Sequence, residues 1–420
     1  MVAGERELVI IVGAANIVDV KARWILDSRG KPTIYCEVSD GKNVGIGRAP
    51  SGASTGKKEA LELRDKGKDF HGFGVSNAVD NINTIVKDAI VGMVVDDITS
   101  IDKAMEEIDG SENFSKIGGN ASVAVSMACA SCAAKSNGEE VYEFIERRFS
   151  QNAEMPKAMF NIINGGKHAG NRLSVQEFLI VPQYKRVEDN IKAASEVYWE
   201  LKEIIKKRYG KEATNVGDEG GFAPPLVESG EALTLIEEAV GESGHSGKVR
   251  KSIDAAADSF YNNGIYNIDG KEVEGGELVD YYVALAKEYS LLSIEDPFVG
   301  DSLENFIELK KKDVSKIIGD DITVTNGKLV EMNKEGINGI IVKPNQVGTV
   351  SKAVEAVETA RKVGATFTIG SHRSGETEDT FIADFSVGMG LPYVKFGAPA
   401  RGERTAKYNR LLDIEWKWKQ

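Results

Sequence analysis

The sequence predicts an α/β protein in two parts, an N-terminal α+β domain over residues 1–150 followed by a C-terminal βα barrel over residues 151–420. Three observations predict it. A chain of 420 residues exceeds what one hydrophobic core usually serves. The polar segment Phe149 to Pro156 ends in proline and separates two stretches of different rhythm. Beyond it, short apolar runs alternate with amphipathic helical stretches, the pattern of βα units on a parallel sheet.

In the first part, Thr33-Ile-Tyr-Cys-Glu-Val38 reads as a strand, and Val75 to Met93 and Ala121 to Lys135 read as helices. In the second part the apolar runs are Val249 to Ile253, Leu291 to Ile294, Ile317 to Ile318, Ile337 to Val342 and Thr366 to Ile369. Helices are expected at Glu277 to Tyr289, Leu303 to Lys312, Lys328 to Lys334 and Val350 to Val363, the last closed by Gly364.

Composition narrows the function. Hydrophobic residues make up 41% and charged residues 28%, without low-complexity blocks, which is the balance of a soluble globular protein. The apolar run Leu8 to Val12 is too short for a signal-peptide core and no span reaches membrane length, so a cytoplasmic location is expected. A net charge of −13 argues against a nucleic-acid surface. Cys129 and Cys132 form a C-x-x-C, but they lie in a helix of small residues with no second ligand pair, so close packing is the better reading than redox or zinc chemistry.

Asp254, Glu295, Asp320, Lys343 and His372 each sit at or just past the end of an apolar run, spaced by about one βα repeat. In a closed barrel such residues converge on one mouth. Asp254, Glu295 and Asp320 offer oxygen ligands only, which select a hard cation, Mg²⁺ before Ca²⁺ or Zn²⁺. Taken singly each would be a solvated loop carboxylate; three in phase reverse those odds. Lys343, followed by Pro344, should be extended in backbone, and a lysine desolvated beside metal cations should have a lowered proton affinity, as a base requires. Lys395, on a later strand, could hold a carboxylate.

The remaining segments are weaker alone. Gly217-Asp-Glu-Gly-Gly-Phe-Ala-Pro224 places Glu219 in a glycine-rich turn, and Glu177 opens a strand; paired acids could share a proton and protonate a leaving hydroxyl. Ala49-Pro-Ser-Gly-Ala-Ser-Thr-Gly56 has the composition of a mobile lid, and lacks the spacing of a P-loop. Gly13-Ala-Ala-Asn16 lacks a dinucleotide-binding fingerprint. Ser371-His-Arg-Ser-Gly-Glu-Thr-Glu-Asp379 offers an imidazole, a guanidinium and hydroxyls suited to a phosphate. His168 is a further candidate at the mouth, whereas His71 and His245 read as structural or exposed.

These motifs together resemble the enolase family from Asp27 to Asn409: Asp27-Ser-Arg-Gly30, the Ala49 to Gly56 loop, Asn164-Gly-Gly-Lys-His-Ala169, Gly217 to Pro224, Ser293-Ile-Glu-Asp-Pro297, Gly319 to Asn326 and Ser371 to Asp379. The resemblance implies an enolase-type barrel, a homo-oligomer (dimer or octamer), and reversible dehydration of 2-phosphoglycerate to phosphoenolpyruvate through an ene-diolate stabilised by two Mg²⁺. It implies that Asp254, Glu295 and Asp320 hold the first magnesium and that Ser51 helps complete the second. Lys343 would be the base, and Glu219, aided by Glu177, the acid. Gln176, Arg373, Ser374 and Lys395 would contact substrate, with His168 and His372 closing on it.

Three features depart from the family pattern. The first 16 residues or so exceed it, Phe396 stands where a small hydroxyl residue is common, and Pro344 follows the base, a change that suggests an archaeal-type chain. Two rival readings remain, an acid-sugar dehydratase or racemase of the same superfamily, and a non-catalytic binding or structural protein that keeps the fold. The first should lack the 371–379 grip and the lid; the second should have lost a ligand or the base, and none is lost.

Overall fold

The computed structural model describes residues 15–52, 58–166 and 169–418. The chain begins as a three-stranded antiparallel meander, β1 (Asp19–Leu26), β2 (Pro32–Ser39) and β3 (Val44–Arg48). On β2, Ile34, Cys36 and Val38 are buried while Tyr35 and Glu37 are half-exposed, the period of a strand with one face on a core. Helix Gly119–Asn137 lies on that face, and its small residues are what let it come so close. A methyl group added at Gly45 or Gly47 would run into its backbone at Ala128 and Cys132 or at Ala124. Cys36, Cys129 and Cys132 are buried free thiols in this contact. The expected helix over Val75 to Met93 runs from Ser76 to Ile90, with a π-helical turn at Ile82–Val86. Helices Ile98–Asp109 and Val141–Arg148 complete this half.

Residues 149–156 carry no helix or strand and lead into a closed barrel. Its strands are β4 (Lys157–Asn164), β5 (Glu177–Pro182) and β6 (Val249–Asp254). After a small sheet of β7 (Tyr261–Asn262), β8 (Ile265–Ile268) and β9 (Lys271–Val273) come β10 (Leu291–Glu295), β11 (Lys316–Gly319), β12 (Gly339–Val342), β13 (Ile369–Ser371) and β14 (Tyr393–Lys395). The ring closes as β4-β5-β6-β10-β11-β12-β13-β14. Helices Gly275–Tyr289, Leu303–Lys311, Gly327–Asn333 and Val350–Lys362 occupy the expected crossovers, and Gly364, at φ +80°, ends the last of these. Met159, Leu179, Val181, Ile318, Ile341 and Ile369 pack together as a separate cluster, one residue from each of six inward-facing positions.

The sheet is not wholly parallel, which corrects the sequence expectation. β5 runs antiparallel to both β4 and β6. Among the described residues no crossover helix stands between β4 and β5, whereas helices Val187–Tyr209 and Ser229–Glu242 both fall between β5 and β6. The reversal has a functional consequence: the start of β5, rather than its end, lies at the barrel mouth.

The two halves are joined by polar contacts at the barrel's helix ends. Helix Val350–Lys362 begins with the N–H of Val350 donating to Ser126 Oγ at 3.0 Å and that of Ser351 donating to Asp102 Oδ2 at 2.9 Å. Both acceptors come from N-terminal helices, so one half caps a helix of the other.

Candidate active site

Strand register gathers the titratable residues. Glu177 pairs with Asp254 across β5–β6, Asp254 with Glu295 across β6–β10, and Ser371 with Lys395 across β13–β14. Asp320 and Lys343 follow directly on β11 and β12, and His372 on β13. A cavity of about 900 Å³ opens among them, lined also by Gln176, Glu219, Arg373 and Ser374. Of the described residues predicted from the sequence, all but Ser51 and Glu295 line this cavity, and Glu295 joins its wall through Lys395.

Lys395 sits at the centre of the acidic wall. Its Nζ lies 2.8 Å from both oxygens of Glu295, 3.0 Å from Asp254 Oδ2 and 3.3 Å from Glu177 Oε2. Burial works against this ammonium, but Asp254, Glu177 and Glu295 outweigh it and hold its pKa well above the usual lysine value. Burial, together with Asp254, pushes the carboxyl of Glu295 up in turn. Asp320 faces the other way: Lys343 Nζ bonds its Oδ2, and Gln346 Nε2 donates to its Oδ1 at 2.9 Å. Although burial opposes it, Lys343 holds the Asp320 pKa down at about 2.

Lys343 is held in turn by Asp320. Burial favours its neutral form, but the contact with Asp320 outweighs burial and leaves its pKa above that of a free lysine.

Glu219 is placed by backbone. Gly217 N–H donates to Gly221 O at 2.9 Å to close the turn, Gly220 takes φ +85°, and Ala398 N–H donates to Glu219 O at 2.9 Å, tying the turn to the segment after β14. Asn161 Nδ2, from β4, donates to Glu219 Oε2 at 3.1 Å, and His372 Nε2 lies 3.3 Å from Oε1. Ser374 Oγ is 3.5 Å from the same oxygen. Glu177, Glu219 and His372 bring their polar atoms within 4.8 Å of one another. Burial and then Glu219 push the Glu177 carboxyl well above the ordinary range, so this pair retains a proton where an isolated glutamate would not.

The 371–379 loop brings Arg373, buried, against Glu59 Oε2 at 3.0 Å, while Glu376 Oε1 accepts the Arg373 N–H at 2.8 Å. Ser51 pairs with this loop through backbone, N–H to Gly375 O at 2.7 Å. Its hydroxyl points elsewhere, donating to Glu62 Oε2 at 3.0 Å and accepting from Arg64 Nη2 at 2.9 Å. His168 and most of the lid, residues 53–57, lie outside the described residues, as do residues 1–14 of the N-terminal excess.

The chain matches the family model for the enolase N-terminal domain over residues 17–145 and that for the enolase C-terminal TIM barrel domain over residues 152–419. The chain belongs to the enolase family. It is 48% identical to the enolase of Methanocaldococcus jannaschii over 407 residues, covering 95% of each chain. It is 45% identical to that of Saccharolobus solfataricus over 416 residues, 97% of each, and 46% identical to that of Thermococcus gammatolerans over 410 residues, 95% of this chain and 94% of the other. The protein is thus an enzyme, a lyase of the phosphopyruvate hydratase class. Among the described residues no helix is long and apolar enough to cross a membrane.

Enolase sites also contain groups here that sequence reasoning passed over. Asp296, at φ +40°, accepts the N–H groups of Asp320 at 3.0 Å and Asp321 at 2.8 Å, and these three acids form a second close group. Burial, with Asp320 beside it, pushes Asp321 up to about 7. The sequence carries them as the second members of the doublets Glu295-Asp296 and Asp320-Asp321. Glu59 and Arg404 had no such signal, because each reaches the site from a distant element.

Proposed function

We propose that the protein interconverts 2-phosphoglycerate and phosphoenolpyruvate, with Lys343 taking the proton from C2 and Glu219, supported by Glu177, protonating the departing C3 hydroxyl. The observation that carries this reading is the placement of base and acid. In the eight-stranded ring β12, which delivers Lys343, stands four strands from β5, which delivers Glu177. A substrate between them is approached by an amine from one side and a carboxyl pair from the other, as removal of H and OH from opposite faces requires.

The donor set fits a hard divalent cation: Asp254, Glu295 and Asp320 present only oxygen, and Asp254 and Glu295 already gather a positive charge, the Lys395 ammonium. We assign them to Mg²⁺, with Ser51 at a second ion. When bound, Mg²⁺ supplies positive charge against the second negative charge that builds on the substrate carboxylate as the C2 proton leaves. Lys395 and Gln176 orient that carboxylate end, His372 closes on the site beside Glu219, and Arg373 with Ser374 grips the phosphate by charge-assisted bonds. Glu177 and Glu219, buried together, keep between them the proton that the leaving hydroxyl needs.

The test is the absorbance of phosphoenolpyruvate formed from 2-phosphoglycerate, with Mg²⁺, with EDTA, and with Mg²⁺ restored. Product that appears, stops and returns in that order supports the assignment. Turnover of an aldonic acid with none of 2-phosphoglycerate would replace it with the acid-sugar rival.

A further inference from the structure

The deepest cation of the C-terminal helix Gly402–Trp418 lies under the active-site loop rather than on the surface. Arg404 is fully buried. Its Nη1 donates to Arg373 O at 2.7 Å and faces His372 Nδ1 at 3.0 Å; its Nη2 donates to Ser374 O at 2.8 Å and to Asp218 O at 3.1 Å. One guanidinium therefore joins the phosphate-gripping loop to the turn that carries Glu219. Gly397 marks how tightly the parts meet. A methyl group there would press on Glu219 O at 2.7 Å, Arg404 Cδ at 3.0 Å and His372 Cε1 at 3.2 Å.

The contact with His372 has a chemical consequence. A guanidinium has donors only and does not give up its proton in a protein, so the nitrogen facing it must accept. His372 Nδ1 is then bare, and the proton of a neutral ring sits on Nε2, the nitrogen 3.3 Å from Glu219 Oε1. An imidazolium would place an N–H against the guanidinium and is disfavoured. We propose that Arg404 is a positioning residue for the acid step. It holds His372 as the neutral tautomer whose Nε2–H faces Glu219, so that the imidazole orients the acid and does not take its proton. Burial lowers the pKa of His372, against the pull of Glu219 and with the help of Arg404, in keeping with a ring that stays neutral. With the protonated Nε2 3.3 Å from Oε1 and Asn161 donating to Oε2, the acid's proton is left to lie on the side of Glu177.

This proposal rests on the reading of Glu219 as the acid, and its test separates the two. Full-length protein labelled with ¹⁵N-histidine and loaded with Mg²⁺ is examined by long-range proton–nitrogen correlation, the His372 signals being assigned with His372→Gln. A bare Nδ1 and a protonated Nε2 at neutral pH are expected. A protonated Nδ1, or an imidazolium, overturns the proposal with no further variant needed. Arg404→Met is then compared with Arg404→Lys, which restores a donor. Dehydration in Arg404→Met at saturating substrate should fall by about 10–100-fold, the usual cost of losing a group that orients an active one, while solvent exchange of the C2 proton at saturating substrate stays within about threefold. Arg404→Lys should recover part of the loss. Equal loss of exchange and dehydration, in protein that still folds, would reduce Arg404 to a structural tie. If instead Glu219→Gln dehydrates normally while wild-type His372 keeps the expected tautomer, it is the acid assignment that fails.

Discussion

Lys395 Nζ lies 2.8 Å from both carboxylate oxygens of Glu295, and the same ammonium reaches Asp254 at 3.0 Å. One buried lysine thus supplies the positive charge for carboxylates we assign to magnesium. Lys395→Met removes the one ammonium that Glu295 and Asp254 share, and removing one member of a buried ion pair costs about 3–5 kcal/mol. The loss of stability, read from urea unfolding, is expected to be larger in EDTA than in Mg²⁺, because a cation on Asp254 and Glu295 replaces the missing charge. Equal losses in both buffers would show that these carboxylates do not hold the metal.

The positions of Lys343 and Glu219 on opposite arcs predict separable defects. Lys343→Ala should abolish exchange of the C2 proton with solvent, and dehydration with it. Glu219→Gln should keep exchange and lower dehydration by about 10²–10⁴-fold, the usual contribution of a positioned acid. Isotope exchange monitored beside product formation distinguishes them, and reversed phenotypes would exchange the two roles.

Much of the site was legible because it is periodic. Asp254, Glu295, Asp320 and Lys343 each follow an apolar run, and a barrel converts that repeat into one mouth. Glu177 was legible as a strand start, but its arrival at the mouth depends on the reversal of β5, which local pattern does not encode: a strand carries the same apolar signature in either direction. Arg404 was hidden for a different reason. Gly402-Glu-Arg-Thr-Ala-Lys407 reads as the polar opening of a surface helix, yet both Arg404 and Lys407 are buried, the latter bonded to Glu376 Oε2 at 2.9 Å. Only the packing of that helix beneath the 371–379 loop turns two ordinary charges into buried ones. Ser51 shows the converse, a residue prominent in its motif whose hydroxyl is held by Glu62 and Arg64.

Gly47 carries a prediction about the N-terminal half. A methyl group there would strike the backbone of helix Gly119–Asn137 at Ala124 and Ala128, where neither side has a flexible side chain to yield. Gly47→Ala is expected to destabilise by about 1–3 kcal/mol, as overpacking does, with a lowered thermal midpoint. An unchanged midpoint would mean that the helix shifts freely on β3, and close packing would then no longer account for its run of small residues.

Asp102 predicts a pH dependence of stability. Its carboxylate caps helix Val350–Lys362 from the other half of the molecule, and burial pushes its pKa from 3.8 up to about 6 despite the N–H of Ser351. A raised carboxyl pKa means that between about pH 4 and pH 6 the folded state holds a proton that the unfolded state has released. Stability from this group is therefore fully present below pH 4, falls as pH rises to 6, and is level above. The shift corresponds to about 2–3 kcal/mol. Asp102→Asn keeps an oxygen for Ser351 and cannot ionise, so its stability relative to wild type should rise by that amount between pH 4 and pH 6.5, read from urea unfolding at matched pH. A difference that is flat across this range would mean that Asp102 is already ionised in the folded protein at pH 4, with its charge balanced by the helix N-terminus it caps.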